Sequence, residues 1–314
     1  MSKSGSGREP FRIAFFGLPI AALLLREDGH EIVQAAICRD DALGLRRLSR
    51  ALPPDAFSVK PRIDAAYVAR TRALSPDLVV SWFWTKRLPP SILKASRLGA
   101  LGVHPSLLPR HRGPDPYFWT IDHGDALTGV SAHWLEAEYD TGAVIAQRSL
   151  DVSPSWNAWD LAKALDRPSL ALLRDVVRRL AAGEPLPGSL QDEGNATSAP
   201  APTDDELEID WNWTCAQIVR RVRAAASAPG AYTDLAGHEF VILEAAIAPM
   251  SRALAALAPG EMTILDGAAV IRASDGGVIV QRAQLGDADA ETGPRLRSTL
   301  AAFSTNAGDE VAFE

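Results

Sequence analysis

FRIAFFGLPIAALLLREDGHEIVQAAIC, residues 11–38, sets three apolar blocks in a row: a short run ending at Gly17, a helix-compatible IAALLLRED, and a second short run, EIVQAAIC. Strand, helix, strand in that order opens a parallel α/β sheet, because parallel neighbours need a crossover long enough to hold a helix. Gly17 stands alone after its strand, without the glycine spacing that brings a backbone against a pyrophosphate, so no dinucleotide site is expected there. The blocks downstream extend the alternation. RIDAAYVARTRAL (62–74) has a helical pattern, SPDLVVSWFW (75–84) is continuous enough at its centre for a buried strand, and PPSILKASRLG (89–99) reads as a proline-started helix before the strand ALGVH (100–104). Two further strand-like runs, TGVSAHWL and AVIAQRSL, flank the turn EAEYDTG (136–142), and one long amphipathic helix spans 156–182.

At 314 residues and 47% hydrophobic, the chain can bury two cores. The expected division is a disordered N-terminus over 1–10, a first domain over 11–183, a linker over 184–205 rich in proline, glycine and small polar residues, and a second domain over 206–314. In the second domain, TCAQIVRRVRAA is helical and five short alternating runs follow it, which suggests a small β-barrel or sandwich.

A net charge of −7 gives no general attraction to phosphate backbones, so no nucleic-acid partner is expected. Two distant cysteines, Cys38 and Cys215, make neither a disulfide framework nor a zinc site, and no apolar run is long enough to span a bilayer. The reading is a cytoplasmic protein with no membrane partner. Neither GxxxxGK[ST] nor HExxH occurs, and His30, His111, His123, His133 and His238 have no convincing ligand spacing, so no metal is expected.

His104 ends a strand at the edge of a parallel sheet where ligands bind, which leaves a structural or a catalytic role open. Ser106 follows in GVHPS without the glycine-bracketed elbow of a nucleophile and reads as a loop hydrogen-bonding residue. Asp140, in the DTG turn, could orient the imidazole and favour its cationic form, the minimum for proton transfer.

HPSLLPRHRGPDPYFW (104–119) and GDALTGVSAHWLEAEYDTGAVIAQ (124–147) together resemble the signature of the 10-formyltetrahydrofolate-dependent formyltransferases. DDELEIDWNWTCAQIVRRVRAAASAPGAY (204–232) is similar to the start of that family's C-terminal domain, so the likeness covers nearly the whole chain. It implies a Rossmann-like formyltransferase domain with a parallel-rich sheet, plus a small OB-like C-terminal β-barrel. It also implies 10-formyltetrahydrofolate as co-substrate and an Asn, His, Asp constellation in which His104 and Asp140 supply the last two. Gly102 stands where the family has its asparagine, an amide donor to the oxyanion. The loss of such a donor costs about a hundredfold to a thousandfold in rate, and the glycine is read as leaving space for a bulkier acceptor.

The resemblance places the pterin against Trp84, Thr85, Lys86 and Arg87 and against Glu136, Ala137 and Glu138. Ser106, Arg110 and Arg112 are candidate acceptor or folate-tail contacts. The nearer likeness is to the branch acting on UDP-4-amino-4-deoxy-L-arabinose rather than to the tRNA-directed enzymes, because CRDDALGLRRLSRALPPD (38–55) is short and mixed in charge where those carry a longer basic loop. The expected acceptor is therefore a small-molecule amine on a nucleotide sugar or peptide-like metabolite. The alternatives are transfer or hydrolysis of another folate-borne one-carbon unit, and a folate- or ligand-binding relative without catalysis.

Overall fold

The computed structural model describes residues 9–226, 228–235 and 237–305; of the expected disordered N-terminus, residues 1–8 lie outside these. The described elements run β1 (Arg12–Gly17), α1 (Pro19–Glu27), β2 (Glu31–Ile37), α2 (Leu45–Ala51), β3 (Phe57–Val59), α3 (Ala65–Ala73), β4 (Leu78–Trp82), α4 (Pro90–Leu93), β5 (Ala100–His104), α5 (Pro116–Asp122), β6 (Leu127–Trp134), β7 (Val144–Asp151) and α6 (Ala158–Ala181). Then follow α7 (Asp204–Leu207), α8 (Cys215–Ala225), β8 (Ala231–Leu235), β9 (His238–Ala248), β10 (Met262–Leu265), β11 (Ala268–Arg272), β12 (Gly277–Leu285), β13 (Glu291–Thr292) and α9 (Gly293–Thr305). Contacts group the chain into two compact units: residues 1–114, 128–150 and 164–199, and residues 115–127, 151–163 and 200–314.

The first unit is built on a seven-stranded sheet of order β3-β2-β1-β4-β5-β6-β7. β3, β2, β1, β4 and β5 are mutually parallel and β6 runs antiparallel to β5. β1 lies between β2 and β4, which is why Ile13 through Gly17 are all buried and its sequence is continuously apolar rather than alternating. The strand order reverses at β1, so the crevice beyond the C-terminal ends of the strands opens beside it. Gly17 is required there for close approach: its φ is +143°, and a Cβ would fall 1.8 Å from the Trp82 carbonyl oxygen. That same oxygen accepts the Leu18 N–H at 3.1 Å.

α6 buries Leu165, Leu172, Leu173, Val176 and Val177, a helical stripe that fulfils the amphipathic pattern read from 156–182. Trp82 turns into the interior and donates its indole N–H to Ser169 Oγ of α6 at 2.7 Å. The helix expected over 89–99 stops after one turn, at Leu93. Beyond it the Arg97 and Leu98 N–H groups donate instead to the carbonyls of Pro76 (3.1 Å) and Asp77 (2.8 Å), a tertiary use of the backbone that helix propensity does not register.

Composition marked 184–205 as connecting chain, and residues 184–199 of it are fastened along the first unit. Ser189 and Val144 exchange both backbone hydrogen bonds at 2.8 Å, and Trp134 Nε1 donates to the Leu186 carbonyl at 2.9 Å. Arg112 N–H donates to the Thr197 carbonyl (2.9 Å) and Ala199 N–H to the Arg112 carbonyl (2.6 Å). Backbone pairing of this kind needs little apolar side-chain surface, so a composition rule does not register it.

The second unit carries an antiparallel sheet of order β10-β11-β12-β9-β8, with β13 paired to β12. α8 begins with a reciprocal capping box between Thr214 and Gln217 and buries Cys215, Ile218, Val222 and Ala225. It packs on β9 and on α5, where Arg221 binds both Asp122 carboxylate oxygens, Nε to Oδ1 at 2.7 Å and a terminal nitrogen to Oδ2 at 3.1 Å. No helix among the described residues is long and apolar enough to cross a membrane.

Candidate active site

β5 carries Gly102 and His104 two residues apart, hence on one face of the sheet. The antiparallel register pairs Gly102 with His133 and His104 with Ser131, and directly opposed residues share a face, so His133 arrives beside the position of Gly102. The loop after β5 is held from below. Ser131 Oγ donates to the Ser106 carbonyl (2.6 Å) and accepts the Leu108 N–H (3.0 Å), and Gln147 Nε2 donates to the Leu108 carbonyl (2.9 Å) and to Ser131 Oγ (2.8 Å).

Asp140 comes from the turn between β6 and β7 and adopts a left-handed backbone, φ 55°. Gly142 of the same DTG run must lack a side chain, because a Cβ would lie 1.9 Å from the Trp134 carbonyl oxygen. Gln191, in the segment that composition marked as linker, donates through Nε2 to the carbonyls of Asp140 (2.7 Å) and Gly142 (2.8 Å) and so clamps the turn. The Asp140 carboxylate then sits between two imidazoles: Oδ2 is 3.4 Å from His104 Nδ1 and Oδ1 is 3.5 Å from His133 Nε2. Oδ2 also accepts the Gly113 N–H at 2.9 Å. His104 Nε2 lies 2.7 Å from the His111 carbonyl oxygen, so it is the nitrogen that carries the proton and donates. With an acceptor at each ring nitrogen, the imidazolium is the form of His104 that uses both donors.

His133 is a different case. It is buried, and its Nδ1 donates to the Trp134 carbonyl at 3.0 Å, leaving Nε2 as a lone pair toward Asp140. Burial pulls its pKa from the ordinary 6.5 down to about 4, with the Asp140 charge opposing and the His104 charge assisting. The fold therefore refuses a proton that the unfolded chain takes up below pH 6.5. The stability this represents is complete above pH 6.5 and is lost as pH falls toward 4, on the order of 2 kcal/mol by pH 4.5. His133→Asn keeps a donor for Trp134 and removes the titration. Urea midpoints at pH 7 and pH 4.5 should accordingly differ less in the variant than in the parent, and equal differences would disprove the assignment.

The space attributed to Gly102 is already filled. A Cβ there would meet Leu135 Cδ2 at 2.6 Å and His133 Nε2 at 3.3 Å, so the glycine admits neighbouring side chains rather than an acceptor. Two further expectations are corrected. Ser106 is fully buried with Oγ donating to the Arg110 carbonyl at 2.6 Å, so it closes its own loop and cannot reach a substrate. Arg112 is committed to Gln191 Oε1 (3.1 and 2.9 Å) and Glu193 (2.9 and 2.8 Å) and braces the turn clamp. Arg110 is exposed.

Trp84, Lys86, Arg87, Glu136, Ala137 and Glu138, expected to surround a cofactor, do line one cavity of about 100 Å³, and Asp140 is on its wall. Thr85 is not among the lining residues. Arg87 spans the two loops, donating to the Ala137 carbonyl and to Glu138 (2.9 Å) and lying 5.6 Å from the Tyr139 ring centroid. Trp84 packs edge-on against Phe16, and its buried indole N–H has no protein acceptor. The residues that sequence reasoning passed over are His133, Leu135 and Gln191. His133 was visible only as one histidine among several, and its role depends on the register of β5 against β6.

The sequence matches the formyl transferase family model over residues 19–177 and the formyl transferase C-terminal domain model over residues 203–297. Curated relatives include the methionyl-tRNA formyltransferase of Chlorobium luteolum, 34% identical over 222 residues and covering 71% of this chain and 70% of that protein. That of Syntrophus aciditrophicus is 31% identical over 280 residues, covering 86% and 88%. Among solved structures, HypX from Aquifex aeolicus in complex with tetrahydrofolic acid superposes with a TM-score of 0.63 at 22% identity over 93% of this chain. The chain spans about half of HypX, 47% of its length. An N-formyltransferase from Helicobacter canadensis, in complex with folinic acid and dTDP-3-aminofucose, gives a TM-score of 0.65 at 13% identity over 87% of this chain and 99% of that one. At such identities the structural likeness concerns the fold.

Proposed function

The chain belongs to the formyl transferase family, and from that premise we propose that it moves a formyl group from 10-formyltetrahydrofolate to the amine of a small-molecule acceptor. The observation that carries the reading is the Asp140 carboxylate held between His104 and His133 on the wall of the cavity that Trp84 and Glu136 line. That cavity suits the edge of a pterin. Its Trp84 N–H needs an acceptor, while the Arg87 contacts must open to admit the whole ring. The folate supplies the formyl carbon and departs with the proton that the acceptor amine gives up.

The protein's own part is charge and proton handling. His104, anchored by its Nε2–H on the His111 carbonyl, turns Nδ1 toward the reacting oxygen, and the 3.4 Å gap to Asp140 is long enough for that oxygen to compete for the donor. Asp140 and the bare Nε2 of His133 face each other at 3.5 Å without a proton between them, a pair ready to take one from the attacking amine as its bond to the formyl carbon forms. With Gly102 in place of the amide donor, His104 carries the oxyanion without that help, which points to a slower enzyme.

Two acceptor classes compete. The relatives named as methionyl-tRNA formyltransferases favour an aminoacyl-tRNA. The electrostatics of the first unit favour a small amine: Arg39 pairs with Asp41, Lys60 with Asp40, Arg47 with Glu27 and Arg112 with Glu193, so these cations are already neutralised. Tetrahydrofolate production by the full chain, measured with methionyl-tRNA, with a nucleotide-linked aminosugar and with no acceptor, separates the readings. Turnover with the aminosugar and little with tRNA is expected. Turnover with tRNA alone overturns the acceptor assignment, and turnover without any acceptor makes the chain a hydrolase.

A further inference from the structure

The second unit contains a cavity of about 720 Å³ that the proposed chemistry does not use. One wall is α8, from which Ala216, Val219, Arg220 and Arg223 project at helical spacing onto the same face. The remainder is mostly apolar, formed by Ile121, Val152, Pro154, Ala245 and the half-exposed Ile247 among others.

The arginines are built in rather than incidental. Arg220 lies on the backbone at Gly124, where a Cβ would come within 2.9 Å of its Cδ, and its Nε donates to the Asp122 carbonyl at 3.0 Å. Arg223 spends one terminal nitrogen on the carbonyls of Pro154 and Trp156, the latter at 3.0 Å, while its buried Nε has no acceptor. Burial, and then the positive charge of Arg220, push the Arg223 pKa below its ordinary value. Among the described residues no close ion pair joins either arginine to a carboxylate, and Asp125, which shares the wall, has a partner of its own. Thr120 adds a fully buried hydroxyl with no partner.

Two guanidiniums without a carboxylate hydrogen bond of their own offer several forked N–H donors to one anion, and the tetrahedral oxygens of a phosphate monoester accept more of them than a single carboxylate does. We propose that this cavity binds a small phosphate monoester with an apolar body, Arg220 and Arg223 taking the phosphate and the apolar wall the body. Its volume and lining are those of a small-molecule site. The concave, largely apolar wall suits a small molecule, where a nucleic acid would track along an extended basic stripe.

Calorimetric titration of the full chain with adenosine 5′-monophosphate, inorganic phosphate, adenosine and a short RNA duplex tests it. One saturable site for the monophosphate is expected, with inorganic phosphate and adenosine each at least tenfold weaker. Arg220→Gln, which retains a donor for the Asp122 carbonyl, should weaken the monophosphate at least tenfold while formyl transfer is unchanged. Ala216→Trp, which fills the cavity while leaving both guanidiniums in the chain, should abolish binding at an unchanged thermal midpoint. The proposal is overturned if the monophosphate does not saturate, if both variants bind it as the parent does, if inorganic phosphate binds equally well, or if RNA binds more tightly and is lost in Arg220→Gln.

Discussion

Asp140→Asn should lower formyl transfer by roughly a hundredfold to ten-thousandfold, the range over which a positioned proton acceptor contributes. The amide retains what the turn needs structurally, since its oxygen can still accept the Gly113 N–H and asparagine tolerates the left-handed backbone at φ 55°. What it removes is the negative charge between His104 and His133 and the lone pair that would take the amine proton. Tetrahydrofolate formation with the best acceptor, followed beside the thermal midpoint, checks both halves. A variant that keeps the parent rate removes Asp140 from the chemistry, and one that is slow only because it has unfolded betrays itself in the midpoint.

Gly102→Asn is expected to reduce both turnover and stability, although it restores the family's residue. The new Cβ would lie 2.6 Å from Leu135 Cδ2, 3.3 Å from Leu135 Cγ and 3.3 Å from His133 Nε2. Leu135 packs against the cluster containing Phe16, Val79 and Ile92, so its displacement disturbs the core as well as the site. Overpacking of this kind costs typically about 1–3 kcal/mol, toward the lower end here because Leu135 Cδ2 is the tip of a flexible side chain, and His133 Nε2 is pushed by a few tenths of an ångström from its place opposite Asp140. Adding Leu135→Ala should recover part of the lost stability by making room. A Gly102→Asn single variant with higher turnover and an unchanged midpoint would mean that the missing amide alone limits the rate.

Much of the first unit is legible in the chain because burial on both faces imposes a continuous apolar run on β1 and β4, and burial of one face imposes a stripe on α6. Those patterns survive without knowledge of partners. The short α4 is different: the residues that follow it have helical side chains but give their N–H groups to Pro76 and Asp77. Residues 184–199 likewise lack the apolar content of a packed element, yet they pair with Val144 and Arg112 and supply Gln191 to the DTG turn. Of the site, His104, Asp140 and the two loops around Trp84 and Glu136 can be picked out by motif, whereas His133, Leu135 and the true surroundings of Gly102 cannot.

By itself the sequence determined the alternation of strand and helix, the second all-antiparallel unit, the family, and the two residue types needed for proton transfer, because each is written in local periodicity or in a contiguous motif. Only the tertiary structure decided that Gly102 faces Leu135 and His133, that Arg112 is tied to Gln191 and Glu193, and that two arginines of α8 meet in an apolar hollow. Those outcomes depend on strand register and on contacts between residues far apart in the chain, and a shift of one residue in β6 would turn His133 to the opposite face of the sheet.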